Sequence, residues 1–353
     1  MKLLVLAGDG IGPEITGATV KAVDALNHRF NLGLTLTEAD AGLSSHARHG
    51  TTLTEDVQAQ VMESDGVILG PTDSLIYPAP EDGGINLSPW FRKNLDLYAN
   101  IRPSRARPGV PCLAKDIDLV IARENTEGFY ADRSMYMGSG EFMPTEDMAL
   151  VVRKITRDAS RRIAESACQL AMTRRKKLTI VHKRNVLKLS DGLFYDTVRE
   201  VADGYEGLEV DDFIVDAMAA LLVRKPGAFD VVVTTNMFGD ILSDLAAELS
   251  GGIGLGPSIN AGRDRAIAQA AHGAAPDIAG QNSANPTALM LSASMLLAWL
   301  GDRHNRTDLE DAARRLEEAI DAQLDDPAGR TVDLGGKLNT SDFGDAVARR
   351  ISG

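Results

Sequence analysis

Cysteine is scarce in this 353-residue chain: Cys112 and Cys168 are the two present. Their spacing fits no zinc motif, and one possible pair makes no disulfide framework. A reducing, cytoplasmic compartment is therefore expected. The six histidines show no ligand spacing either. Basic charge is also in deficit, the net charge being −13. A duplex-binding protein needs a basic face, so nucleic acid is not expected as a partner. The run Arg174-Arg175-Lys176-Lys177 reads as a solvated helix end. Long apolar stretches are missing: Ala288 to Leu300 contains serines and is too short to span a bilayer. Leu3 to Ala7 is too short for a signal-peptide core, so no membrane partner is expected. Repeats and low-complexity tracts are absent.

What is present is ordinary globular composition, 44% hydrophobic and 25% charged, in a chain long enough for two domains. Lys2–Ala7 reads as a buried strand, followed by a glycine loop and a helix to about residue 29. Strands are expected at 32–38 and 66–69, with a helix at about 54–64 between them. Residues 71–86, rich in Pro, Gly and Asp, form a long loop of the kind that often serves function. A short helix (about 88–96) precedes extended Tyr98–Pro103 and a strand at 117–122. Ala149–Thr173 reads as one long amphipathic helix. A strand at 178–182 and helices at 191–202, 288–299, about 307–323 and about 341–351 complete the pattern. Strands alternating with helices mean an α/β protein.

The loop Gly8-Asp9-Gly10-Ile11-Gly12-Pro13 looks like a dinucleotide fingerprint, but the pattern requires a third glycine where Pro13 stands. No acidic residue follows at a strand end about twenty residues on. The Rossmann reading is rejected.

The most informative stretch runs from Asp216 to Asn260. An apolar strand ends in a turn, and the next helix presents Asp240 and Asp244 four residues apart. Like charges at that spacing repel by about 0.2–0.5 kcal/mol. The pair is either a solvated helix face or, with Asp216, an oxygen-ligand site for a hard cation such as Mg²⁺ or Mn²⁺.

Several further motifs occur together with that segment. They are Gly8–Glu14, Arg92-Lys93 with Leu95–Pro103, Arg123-Glu124-Asn125-Thr126-Glu127-Gly128 with Tyr130, His182-Lys183 with Asn185–Lys188, and His272–Gly280. As a set, in this order, they resemble the β-decarboxylating dehydrogenases, the isocitrate/3-isopropylmalate dehydrogenase family, over nearly the whole chain. The resemblance implies an α/β isopropylmalate dehydrogenase-like two-domain fold. Residues 1–97 and 251–353 would form a large cofactor-binding domain. Residues 98–250 would form a small domain with the interface of a homodimer, possibly part of a higher oligomer. The active site would lie in the interdomain cleft, completed by the partner subunit.

Each implied role has a chemical rationale. Arg92, Arg102 and Arg123, with Ser88, would bind the substrate, because several carboxylates call for several forked donors. Lys183, in the neighbouring subunit's site, would deprotonate the C2 hydroxyl, and Tyr130 would protonate the carbon that loses CO₂. Asp216, reaching across the dimer, would join Asp240 and Asp244 around Mg²⁺ or Mn²⁺ acting as a Lewis acid. Ile11, Asn185, His272, Gly273, Ala274, Ala275, Asp277, Ile278 and Asn285 would bind the cofactor. Asp277 can accept from ribose hydroxyls and repels a 2′-phosphate, so NAD is expected.

Two departures from the family pattern bear on substrate and cofactor. Gln269 stands where relatives usually carry Glu. Asn86 and Ser88 look like a transposition of the serine and asparagine of isocitrate enzymes, where isopropylmalate enzymes place leucine at the Ser88 position. A hydroxyl and an amide favour a polar substituent, whereas Ile85, Pro89 and Trp90 favour an apolar one. The expected activity is NAD-dependent oxidative decarboxylation of a (2R)-hydroxy acid with a 3-carboxylate, leaning to isocitrate or homoisocitrate. 3-Isopropylmalate is the alternative, then D-malate or tartrate. From a different class, the chain would be a non-catalytic regulatory subunit.

Overall fold

A computed structural model describes residues 1–130, 135, 137, 138 and 140–353. The chain opens with β1 (Lys2–Leu6), α1 (Gly12–Phe30), β2 (Thr35–Ala39), α2 (Leu43–His49), α3 (Glu55–Glu63) and β3 (Gly66–Leu69). It continues through α4 (Leu87–Asn94), β4 (Ala99–Arg105), β5 (Asp118–Glu124), the hairpin β6 (Glu141–Thr145) and β7 (Met148–Val151), and α5 (Arg157–Met172). Next come β8 (Lys177–His182), α6 (Ser190–Ala202), β9 (Glu209–Ile214), α7 (Val215–Arg224), β10 (Val231–Thr234) and α8 (Asn236–Ser250). The last part holds β11 (Ile259–Ala261), β12 (Ala266–Gln269), α9 (Thr287–His304), α10 (Thr307–Asp325) and α11 (Thr340–Ser352).

Ten strands form one mixed sheet in the order β2-β1-β3-β12-β11-β4-β5-β10-β8-β9. Its two flanks are parallel, as βαβ crossovers require. Antiparallel pairs β12/β11, β11/β4 and β4/β5 join them at the centre. This is not the all-parallel Rossmann sheet. Both ends of the chain build the β2–β11 flank, and residues 99–234 build the other. Two apolar clusters drawn mainly from residues 3–97 and 255–351 cover the first flank, and two drawn from residues 99–249 cover the second. Central strands β3, β5 and β10 are almost wholly buried, which is why they read as unbroken apolar runs.

The expected helix at 149–173 is shorter than the sequence suggests. Residues 148–151 pair with 141–145 as a hairpin, and Thr156 caps the helix by accepting the Ala159 N–H. The apolar run Leu150-Val151-Val152 suits either period, and the cap decides where the helix begins. The run at 174–177 is not simply solvated. Arg174 donates to Asp230 and Asp118, tying the end of α5 to the sheet.

Candidate active site

The three arginines expected from the sequence converge. Arg92 projects from α4, Arg102 from β4 and Arg123 from β5, and all three are buried. The antiparallel pairing of β4 with β5 places Arg102 across from Ile121, close to Arg123. The start of α8 packs directly on β5. Gly239 makes this possible, because a Cβ there would sit 2.7 Å from the Arg123 side chain.

These arginines face the two aspartates of α8. Arg123 is ion-paired with Asp240 through Nη1, while its Nε and Nη2 donate to Asn236 Oδ1 at 2.9 and 2.7 Å. Arg102 Nη1 lies 3.3 Å from Asp240 and 3.4 Å from Asp244, and donates to Ser243 Oγ at 2.8 Å. The Tyr130 hydroxyl reaches Asp240 Oδ2 at 3.5 Å. Burial pushes the Asp240 carboxyl up, but Arg123, Arg102 and Arg92 outweigh it and hold the group below its ordinary range. Asp244 goes the other way: burial raises it, and the Arg102 charge does not fully compensate.

Asp216 and Lys183 form a second cluster. Lys183, just after β8, and Asp216, in the first turn of α7, are ion-paired, and the Lys183 hydrogen bond lowers the Asp216 carboxyl. Within one chain, then, the structure brings Asp240 and Asp244 together but not Asp216. Among the described residues no three His, Cys, Asp or Glu side chains form a metal cluster. The all-oxygen donors of Asp240 and Asp244 suit a hard divalent cation, and the arginines keep Asp240 ionised to accept one.

The 272–278 stretch among the expected cofactor residues lies beside the glycine loop. Ile11 N donates to Ala274 O at 2.9 Å. Gly10 takes a positive φ of 58°, and a Cβ there would meet Ala274 O at 2.0 Å, so the two loops can only join through glycine. Among the described residues the buried His272 Nε2 has no hydrogen-bond partner, and burial lowers the ring's pKa, leaving a neutral imidazole. That orphaned nitrogen fits a loop awaiting a ligand. Gly273 and Asp277 are exposed, and Ala275 and Ile278 are half-buried. Asn285 is committed to structure, accepting Thr287 N and donating to Asp333. Asn185 lies in the exposed turn beside Lys183, after β8, five places from β12 in the sheet.

The region before Arg92 sorts its polar and apolar residues. Ile85 and Trp90 pack against the core cluster of β1, β3 and α4, and Trp90 meets Phe91 edge to face. Asn86 is exposed, and the half-buried Ser88 accepts a hydrogen bond from Gln269 Nε2 at 3.2 Å. Sequence reasoning did not single out Asn100, Asn236, Ser243 or Asn260, all buried around the arginines. Asn236, just before Asp240 in Thr-Asn-Met-Phe-Gly-Asp, was the one with a positional signal.

The pattern of the family described as Isocitrate/isopropylmalate dehydrogenase matches residues 2–347. The chain belongs to this family. It is 42% identical over 352 residues to the isocitrate/homoisocitrate dehydrogenase of Thermus thermophilus, covering 99% of this chain and 98% of that one. It is 41% identical over 352 residues to the 3-isopropylmalate dehydrogenase of Methanothermobacter thermautotrophicus, with the same coverage. The crystal structure of isocitrate dehydrogenase from Methylococcus capsulatus superposes with a TM-score of 0.88 at 37% identity, covering 100% of this chain and 99% of that one. This isocitrate/isopropylmalate dehydrogenase family member is thus a dehydrogenase by family, with relatives named for more than one substrate. No helix among its described residues is long and apolar enough to cross a membrane.

Proposed function

We propose that the protein is an NAD-dependent, Mg²⁺- or Mn²⁺-dependent oxidative decarboxylase of a (2R)-2-hydroxy acid carrying a 3-carboxylate and a polar γ-substituent, of the isocitrate or homoisocitrate type. The observation that carries this reading is the cluster of Arg92, Arg102 and Arg123 around Asp240, Asp244 and Tyr130. Three guanidiniums gathered at one site offer forked donors that suit the carboxylates of a polyacid. The polar γ-group is supported by where the apolar residues go: Ile85 and Trp90 are spent on the core, while Ser88 shares a face of α4 with Arg92.

A divalent cation held by Asp240, Asp244 and Asp216 of the partner subunit would supply Lewis-acid polarisation of the C2 oxygen, and NAD, held by the 272–278 loop with Ile11, would accept the C2 hydride. This chain's residues do the rest. The arginines orient the substrate carboxylates. Lys183 removes the C2 hydroxyl proton in the partner's site, and Tyr130 returns a proton to the carbon left by CO₂. The separation of the Lys183–Asp216 pair from Asp240 and Asp244 favours a homodimer that exchanges them. It accords with a division into residues 1–97 plus 251–353 and residues 98–250, with the site in the cleft. Retention of Lys183, Tyr130 and the aspartates argues against a regulatory subunit.

The test is stoichiometry. Purified protein with Mn²⁺, NAD and isocitrate should release one CO₂ per NADH, and chelation by EDTA should abolish both. NADH without CO₂, or turnover indifferent to EDTA, rejects the proposal.

A further inference from the structure

Lys183 is gripped on both sides of its Cα. Its own N–H donates to the buried Asp191 carboxylate at 2.6 Å. The next N–H, that of Arg184, donates to His182 Nδ1 at 3.3 Å. The Lys183 carbonyl accepts from Val186 N and Leu187 N, both at 2.9 Å. With the peptide on each side tied down, the two soft dihedrals of Lys183 are fixed, and with them the direction in which its side chain leaves the end of β8.

The His182 tie works in one tautomer. A backbone N–H only donates, so Nδ1 must turn a lone pair to Arg184, and the hydrogen of the neutral ring must sit on Nε2. Nε2 faces Asp212 Oδ2 at 2.9 Å on the neighbouring strand β9, and a carboxylate is there to accept that hydrogen. Asp212 therefore selects the tautomer that the turn after β8 needs. His182 is buried, and its surroundings hold the pair in place. The Tyr195 hydroxyl lies 3.5 Å from Asp212 Oδ1, and the Tyr195 ring stands edge-on to His182 with centres 5.3 Å apart. The Arg184 guanidinium lies 3.6 Å from the centre of the Tyr195 ring and 3.6 Å from Asp212 Oδ2. β9 then runs straight into α7, which carries Asp216, the ion-pair partner of Lys183. The His182–Asp212 pair thus ties together the two strand ends that carry Lys183 and Asp216.

We propose that His182 is a positioning residue for the reaction: held by Asp212 with its hydrogen on Nε2, it fixes the turn that aims the Lys183 amine at the C2 hydroxyl in the partner subunit's site. The inference rests on the proposed role of Lys183 as the base and deepens it. His182 acts through Lys183 and takes no proton from the substrate itself. A base that is present but misaimed slows proton removal without changing how the arginines bind the carboxylates, so the effect belongs in kcat and not in KM.

The experiment measures two reactions with Mn²⁺: NAD-dependent oxidation of isocitrate, and CO₂ release from oxalosuccinate, its 2-oxo acid. The second calls on the arginines, the cation and Tyr130 but on no base, because oxalosuccinate has no C2 hydroxyl to deprotonate. In His182→Gln the amide nitrogen can still reach Asp212, but nothing accepts from Arg184 N. Its kcat for isocitrate should fall about tenfold to a hundredfold, while KM and the oxalosuccinate rate stay within about twofold. In His182→Asn the amide oxygen stands near the place of Nδ1 and should restore most of the lost kcat. Asp212→Ala, half-buried on β9 and outside the turn, should lower kcat in the same selective way. Equal kcat in the Gln and Asn variants, parallel loss of both reactions, or an unchanged kcat in Asp212→Ala overturns the inference while leaving the malate-type chemistry standing. Should the unaltered enzyme oxidise no isocitrate-type acid, that chemistry fails, and the inference with it.

Discussion

The fully buried Asp191 carboxylate is ion-paired with Arg153 and at the same time accepts the backbone N–H of Lys183 at 2.6 Å. Arg153 in turn lies 5.4 Å from the ring centre of Phe129, the neighbour of Tyr130, and 5.5 Å from that of Phe238. One ion pair thus braces the strand end carrying Lys183 and the segment leading to Tyr130.

Removing one member of that pair leaves a buried charge uncompensated. Asp191→Ala and Arg153→Met should each cost about 3–5 kcal/mol of folding stability. Urea unfolding measures this, and a loss below about 1 kcal/mol would mean that the pair does not brace the site.

Lys183 is partly exposed, and its side chain is ion-paired with the largely exposed Asp216. Lys183→Met should lower kcat by at least about a hundredfold. Thermal unfolding should stay near that of the unaltered protein. Retained turnover removes Lys183 as the base.

Asp277 and Ile278 sit exposed and half-buried in the proposed NAD-binding loop, and among the described residues the Asp277 carboxylate accepts no hydrogen bond. Asp277→Lys with Ile278→Tyr should move the NADP/NAD ratio of kcat/KM upward by about tenfold or more, equivalent to ~1.4 kcal/mol. An unmoved ratio would show that another part of the loop reads the ribose.

Burial pushes the Cys168 thiol up to about 12, with Glu165 adding to the shift. The folded form therefore holds its proton to higher pH than the unfolded chain, whose thiol titrates near about 8.5. The stability this contributes is complete below that value and is lost as pH rises from there toward about 12. Urea unfolding at pH 8 and pH 10.5 should show a smaller alkaline loss in Cys168→Ala than in the unaltered protein. Equal losses would contradict the assignment.

Much of the site was legible because its chemistry is local in sequence. Asp240 and Asp244 announce a shared helix face by spacing alone, Arg123 stands near the end of β5, and Lys183 and Asp216 follow strands, where α/β folds place function. The hydrogen-bond link from Arg102 through Asn100 to Asn260 was not legible. It depends on Asn100 facing Asn260 across strands 160 residues apart. The strand that carries Asn260 is three residues long, too short to show a period. The same limit hid β12, and α7 follows β9 without a turn signal between them. The last residues of the hairpin, 149–151, were read as helix because their apolar pattern fits both periods, and only strand pairing distinguishes them.

The most direct measurement is initial-rate NADH formation with Mn²⁺ against isocitrate, homoisocitrate and 3-isopropylmalate in parallel. With Ser88 on the Arg92 face of α4 and Ile85 and Trp90 packed against the core, kcat/KM should favour a tricarboxylate over 3-isopropylmalate by at least about tenfold. A preference for 3-isopropylmalate would contradict the account, showing that an apolar surface, and not Ser88, receives the γ-substituent.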